Sequence, residues 1–133
     1  MNTEEARPAL DPLGYAIIGA CIEVQKEMGS GFLEEVYQEC LELELTERGI
    51  PFIAQPKLTL SYKGRPLRKF YEADLIISGE VLVELKAVKT ILPEHEALLI
   101  NYLKATGKRV GYIVNFASYP KLDWRRRVFD RPQ

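Results

Sequence analysis

The stretch Phe70-Tyr-Glu-Ala-Asp74-Leu-Ile-Ile77-Ser-Gly79-Glu-Val81-Leu-Val-Glu84-Leu-Lys86 decides how the chain is read. Two apolar runs flank Ser78-Gly79-Glu80, and this spacing predicts a β-hairpin turning at Gly79. A turn centred there sets Asp74 opposite Glu84 and Glu72 opposite Lys86. Side chains alternate along a strand. Asp74, Ile76, Leu82, Glu84 and Lys86 therefore fall on one face, and Leu75, Ile77, Val81, Val83 and Leu85 on the other, which is apolar throughout and reads as core. Two carboxylates opposite each other, with Cβ atoms about 4.5–5.5 Å apart, repel. Such a pair is tolerated most readily around a cation, and oxygen-only ligands suit Mg²⁺ or Mn²⁺. Lys86 faces the same way and is placed to hold an attacking water or offset charge on a phosphate. The same residues also make sense as an ion-pair patch on a solvated sheet face, and spacing alone leaves both readings open.

Outward from the hairpin, the pattern alternates between helical and extended periods. Asp11-Pro12 opens a helix whose apolar stripe is Leu13, Ile17, Ala20, Cys21, Val24 and Met28, and Gly29-Ser30-Gly31 stops it. A second helix spans residues 33–48, with Leu33, Val36, Tyr37, Cys40 and Leu43 expected inside and Glu35, Glu39, Glu42 and Glu47 outside. Leu58, Leu60 and Tyr62 alternate with polar residues as a half-buried strand, which Gly64 and Pro66 turn back. Pro93 starts a third helix with Leu98, Leu99, Tyr102 and Leu103 on its apolar side. Val110–Phe116 reads as a strand buried on both faces, and the segment holding Trp124-Arg125-Arg126-Arg127 as an edge strand. The order defines an α/β fold: a single domain with a mixed β-sheet flanked by helices. Residues 1–10 lack periodicity and are expected to be a flexible tail, with the domain over 11–133.

A length of 133 residues, 47% hydrophobic and 28% charged, excludes disordered and fibrous chains. No run is long enough for a membrane span and no export signal is visible, so a cytoplasmic protein with reduced Cys21 and Cys40 is expected. The net charge of −1 conceals a split. Residues 1–56 hold 3 Lys/Arg and 11 Asp/Glu, whereas residues 57–133 hold 15 and 8. A basic half of this kind is permissive for a nucleic-acid partner. The oligomeric state stays open, a homodimer included.

Asp74 followed by Glu84-Leu-Lys86 resembles the Asp…Glu-x-Lys signature of the PD-(D/E)XK nuclease superfamily, whose core is restriction-endonuclease-like. Gly31-Phe-Leu-Glu34-Glu-Val-Tyr37 fits the motif of the GxxExxY family within it. Ala73-Asp74-Leu75, Val83-Glu84-Leu85-Lys86, Asn101-Tyr102-Leu103-Lys104 and Gly111…Asn115-Phe116 follow in the same order. The resemblance covers roughly residues 13–128. It implies a metal-dependent nuclease (a phosphodiester hydrolase) acting on DNA, with Mg²⁺ or Mn²⁺ as cofactor. Asp74 and Glu84 would ligate the metal, Lys86 would be the catalytic lysine, and Glu34 a further acidic group facing the metal or orienting water.

Tyr37 and Tyr102 are candidate substrate contacts, with core packing the competing role for Tyr37. Lys63 and Arg65, with Arg68 and Lys69, crowd the first hairpin as a patch for the substrate backbone. His95 reads as a surface or capping residue with room for a role near the site. Two positions depart from the family. Gln25 stands where relatives commonly carry a histidine, a metal ligand in some nucleases of the superfamily. Leu98 stands where relatives place a glutamine four residues before the tyrosine. These departures motivate an alternative: a nucleic-acid-binding or accessory module that keeps the fold with weak or lost catalysis.

Overall fold

The computed structural model describes residues 11–130, and the expected tail over residues 1–10 lies outside them. Helix α1 (Pro12–Met28) starts where the sequence requires: the Gly14 N–H donates to Asp11 Oδ1 (2.7 Å), and Pro12 takes the first helical position, where its missing N–H costs nothing. Ile17, Ala20, Cys21 and Val24 are buried, with Leu13 and Met28 packed at the margin. Cys21 and Cys40 are free thiols, and burial pushes the Cys21 thiol up to about 12, which leaves it unreactive.

Helix α2 (Glu34–Glu47) buries only part of the expected stripe. Tyr37 is in the core as expected, but Leu33 and Leu43 are 70% and 65% exposed and Leu41 and Leu45 are buried in their place, with Gln38 beside them. Two overlapping stripes satisfy the helical period here. Tyr37 belongs to both and stacks flat on Phe116, with ring centroids 4.6 Å apart, and packing with α1 and the sheet selects the continuation through Leu41 and Leu45.

The strands are β1 (Phe52–Ala54), β2 (Lys57–Tyr62), β3 (Arg65–Glu72), β4 (Leu75–Ile77), β5 (Val81–Lys86), β6 (Val110–Asn115) and β7 (Asp123–Val128), with α3 (Pro93–Thr106) crossing between β5 and β6. Five of them form one sheet in the order β1-β4-β5-β6-β7. β5 and β6 are parallel across the α3 crossover and the other neighbours antiparallel. This is the mixed sheet flanked by helices that the element order predicts, with β6 internal and β7 at the edge. The short β1 at the opposite edge was not anticipated. Helices α1 and α2 cover one face and α3 the other. Gly111 permits the second contact, since a Cβ there would lie 2.9 Å from Leu99 Cδ1 of α3. Among the described residues no helix is long and apolar enough to cross a membrane.

The β4–β5 hairpin has the expected register, Leu75 against Val83 and Ile77 against Val81, around Ser78 and Gly79 at positive φ. Leu75, Ile77, Val81, Val83 and Leu85 pack under α1 and α2, and Ile76 and Leu82 under α3. One expectation is corrected. Residues 70–77 are not one strand: β3 ends at Glu72, which pairs with Lys57 of β2 and not with Lys86. The neighbouring chain bends at the same point. Gln55 takes a positive φ and its N–H donates to Asp74 O (2.9 Å), while the Ala73 N–H donates to Pro56 O (3.2 Å). The two chains leave the main sheet together as a separate β2–β3 ribbon, and Asp74 stands at the break.

Candidate active site

The break creates the site. Beyond the Leu75–Val83 pair β5 has no strand partner on the β4 side, and the side chain of Asp74 takes that place: the Leu85 N–H donates to Asp74 Oδ2 (2.7 Å). Asp74 is pinned by its backbone as well. Its carbonyl accepts from the Gln55 N–H and from Gln38 Nε2 (3.0 Å), and Gln38 Nε2 also reaches Glu42 Oε2 (2.9 Å). Glu84 is fixed at one oxygen. Oε1 accepts the Tyr71 hydroxyl and, at 3.3 Å, the Asp74 N–H. Tyr71 is in turn held flat against Tyr102, with centroids 3.5 Å apart. Each carboxylate thus spends one oxygen on being held still. Asp74 Oδ1 and Glu84 Oε2 accept no hydrogen bond from a described residue.

Burial and charge act together on these groups. Burial, followed by repulsion from Asp74, pushes the Glu84 carboxyl up to about 7, against the opposing pull of Tyr71, the Asp74 N–H and Lys86. Asp74 is also raised, first by burial and then by Glu34, while the Leu85 N–H and Lys86 oppose the shift. Burial and Glu84 push the Tyr71 phenol far up, so it remains a hydrogen-bond donor.

Two separate recesses border these residues, one on each face of the sheet. A cavity of about 400 Å³ beneath α2 is lined by Glu34, Glu35, Gln38, Glu39, Glu42, Gln55, Asp74 and Leu85. A small recess of about 30 Å³ beneath α3 is lined by Glu84, Lys86, His95, Leu98, Leu99, Tyr102 and Ile113. Glu84 and Lys86 share a face as expected. Asp74 lies off the ladder, and its carboxylate bridges to β5 from the α2 side. Glu34, in the first turn of α2, lines the same cavity as Asp74. Still, among the described residues no three acidic, histidine or cysteine side chains converge as a ligand set. The donors available to an ion are therefore the uncommitted oxygens of Asp74 and Glu84. Mg²⁺ commonly takes one or two carboxylates and keeps several waters, so the donor set fits a hard divalent ion.

The other sequence candidates separate clearly. Tyr102 lines the α3 recess. Tyr37 does not reach either recess, a correction to its candidacy as a substrate contact: it is fully buried, its hydroxyl donates to Gly29 O (2.6 Å) and accepts the Phe32 N–H (3.3 Å), and it ties down the α1–α2 loop. Lys63 and Arg65 sit at the turn of the β2–β3 ribbon, exposed and lining neither recess, with Arg68 and Lys69 exposed along β3. Arg125 pairs with Asp123 and Arg127 with Glu96 of α3, and Trp124 packs on Tyr112. Gln25 is buried, its amide donating to Phe116 O (3.3 Å) and Ser118 O, which is a tether between α1 and the end of β6. Leu98 is not core. It is 47% exposed and opens on the recess.

Sequence reasoning missed Gln38 and Tyr71. For the first, the available signal was its spacing, three and seven residues before Leu41 and Leu45 on one helical stripe. For the second there was none, because the hydrogen bond to Glu84 depends on the bend between β3 and β4. Asn115, quoted only for its place in the motif order, is fully buried and clamps the chain just after Lys86. Its Nδ2 donates to Val88 O (2.8 Å) and its Oδ1 accepts the Val88 N–H (3.0 Å).

A family model described as the PD-(D/E)XK nuclease superfamily matches residues 11–127. The chain belongs to that superfamily, whose members generally use divalent metal ions. Among solved structures it is similar to the crystal structure of SSO0001, with 17% identity and a TM-score of 0.56 over 71% of this chain and 48% of that one. This likeness extends to the fold, and the chain spans about half the length of that protein. No curated protein matches the chain.

Proposed function

We propose that the protein is a Mg²⁺- or Mn²⁺-dependent nuclease that hydrolyses phosphodiester bonds in DNA. The observation that carries the reading is the pair Asp74–Glu84, each with one oxygen tethered and the other uncommitted, beside Lys86 on the same strand. A divalent ion bound there would neutralise phosphate charge and supply an activated water. The chain's own residues do the rest. Asp74 and Glu84 would hold the ion, Lys86 would offset charge developing on the phosphate, and Glu34 would order water in the α2 cavity. Lys63 and Arg65 on the ribbon would take DNA phosphates away from the cleavage point, each contact releasing counterions. The motif order also supports membership of the GxxExxY family, in which Gly31 at φ +109 shapes the loop and Tyr37 closes it.

Incubation of the protein with plasmid, linear duplex and single-stranded DNA in Mn²⁺, beside Lys86→Ala, tests the proposal. Cleavage by the native protein and its loss in the variant are expected. No cleavage of any of the three would favour the second reading, an accessory module that binds nucleic acid. The tethering of Gln25 away from any ligand role is the observation that favours it.

Metal-site geometry leads to a further expectation. Asp74→Asn should raise the metal-free melting temperature by a few degrees, about 1 kcal/mol, because it removes a repulsion while keeping an oxygen to accept the Leu85 N–H. The same variant should lose stabilisation by Mn²⁺. A clear drop in metal-free stability would instead mark Asp74 as a structural ion-pair partner. Leu98→Gln should raise cleavage several-fold with little change in melting temperature, since the position is half open to solvent. A gain of stability without a gain of cleavage would remove position 98 from the site.

A further inference from the structure

We infer that His95 is a catalytic residue of this site: a neutral imidazole whose Nε2–H donates a hydrogen bond to a non-bridging oxygen of the bound phosphodiester. The inference rests on the nuclease reading above and adds a residue to it. His95 lies in the first turn of α3, and its ring does two things. Nδ1 accepts the Leu92 N–H (3.0 Å), so the lone pair is on Nδ1 and the ring proton on Nε2. That bond and Pro93 at the start of the helix hold the ring in place, with Leu92 extended (φ −93, ψ 155). The same residue lines the small recess that also presents Glu84 and Lys86. Among the described residues nothing accepts a hydrogen bond from Nε2.

The recess has the size and walls for such a contact. A volume of about 30 Å³ is the space of one water or one phosphate oxygen. Leu98, Leu99, Tyr102 and Ile113 wall it with mostly apolar surface, beside which a fixed donor acts more strongly than in bulk water. Lys86 comes from the sheet and His95 from the helix above it, and both border the same small space together with Glu84. A cap alone would not require the ring to border that space. No proton moves in this role: Nε2–H stays on the ring while the donor compensates negative charge on the phosphoryl oxygen.

Two substitutions separate capping from catalysis, because each keeps one half of the imidazole. Asparagine places an oxygen near the position of Nδ1 and has nothing at Nε2. Glutamine reaches the Nε2 position and gives up the cap. His95→Asn should melt near the native protein, keep its stabilisation by Mn²⁺, and lose about 10²-fold in kcat with KM changed only a few-fold. His95→Gln should melt lower yet keep kcat within about tenfold when assayed well below its melting temperature. The substrate is whichever of the three DNAs the native protein cleaves. Native kcat in His95→Asn would overturn the inference and leave a cap. Should that variant fail to fold, the comparison passes to His95→Gln against His95→Ala: higher kcat for glutamine supports the donor role, and equal kcat overturns it. A native protein that cleaves none of the three DNAs overturns the nuclease reading itself and the inference with it. A catalytically active native protein with a silent His95→Asn overturns only the inference.

Discussion

Lys86→Ala is expected to lower DNA cleavage by about 10³-fold while leaving stabilisation by Mn²⁺ in place. The two effects divide because the proposed ion is held by Asp74 and Glu84, whose anchoring bonds come from the Leu85 N–H, the Asp74 N–H and the Tyr71 hydroxyl, none of them from Lys86. The ammonium acts on the charge that develops at phosphorus, a quantity that exists only during reaction. It also eases the repulsion between the carboxylates, since it pulls both of them down. Its removal should therefore cost a little metal-free stability at neutral pH. Single-turnover cleavage and melting with and without Mn²⁺, measured on one preparation, check both statements. Native cleavage by the variant would remove Lys86 from the reaction. Loss of the Mn²⁺ effect together with cleavage would show that the lysine organises the metal site instead.

The second large effect is on stability as a function of pH. Glu84 is raised from 4.5 to about 7, burial being the larger cause and Asp74 the next. A group whose folded pKa lies above its unfolded one stabilises the fold when protonated. Its contribution is full below about 4.5 and is lost as the pH rises through about 7. The displacement corresponds to about 3 kcal/mol, or a melting-temperature difference of about 10 °C. Glu84→Gln keeps an oxygen for Tyr71 and the Asp74 N–H but carries no charge. In EDTA the native protein should fall below this variant progressively between about pH 4.5 and about pH 7, whatever the remaining carboxylates do to both. In Mn²⁺ the native protein should regain stability over the same interval, because the ion needs the deprotonated site. A native-minus-variant difference that stays level across that range would sink the account of Glu84 as a buried, destabilised carboxylate.

The Gly79 hairpin was legible because its information is local. Alternation assigns every residue from Leu75 to Leu85 to a face, and the turn residues Ser78 and Gly79 set the register. The helix starts at Asp11-Pro12 and Pro93 were legible for the same reason, since a cap or a proline acts within one turn. Helix α2 shows where this stops. Its sequence supports two apolar stripes that share Tyr37, and only packing against α1 and the sheet selects the one that continues through Leu41 and Leu45. Leu98 fails in the same way: it has the spacing of a core residue, but the sheet beneath α3 is met by Leu99 and Leu103.

By itself, then, the sequence determined which side chains could carry the chemistry, Asp74, Glu84 and Lys86, and that the last two share a sheet face, because a period of two is a property of any strand. Only the tertiary structure decided how they are held. The ladder stops at Leu75 because two neighbouring chains bend together at Gln55 and Asp74. That break leaves the Leu85 N–H without a strand partner and turns the Asp74 carboxylate toward it. The bend also carries β3 away at the angle that brings Tyr71 onto Glu84, and α3 packs closely enough on Gly111 for His95 to border the same recess. These are contacts between residues 10 to 30 positions apart or more, set by chain direction and packing, and no local pattern encodes them.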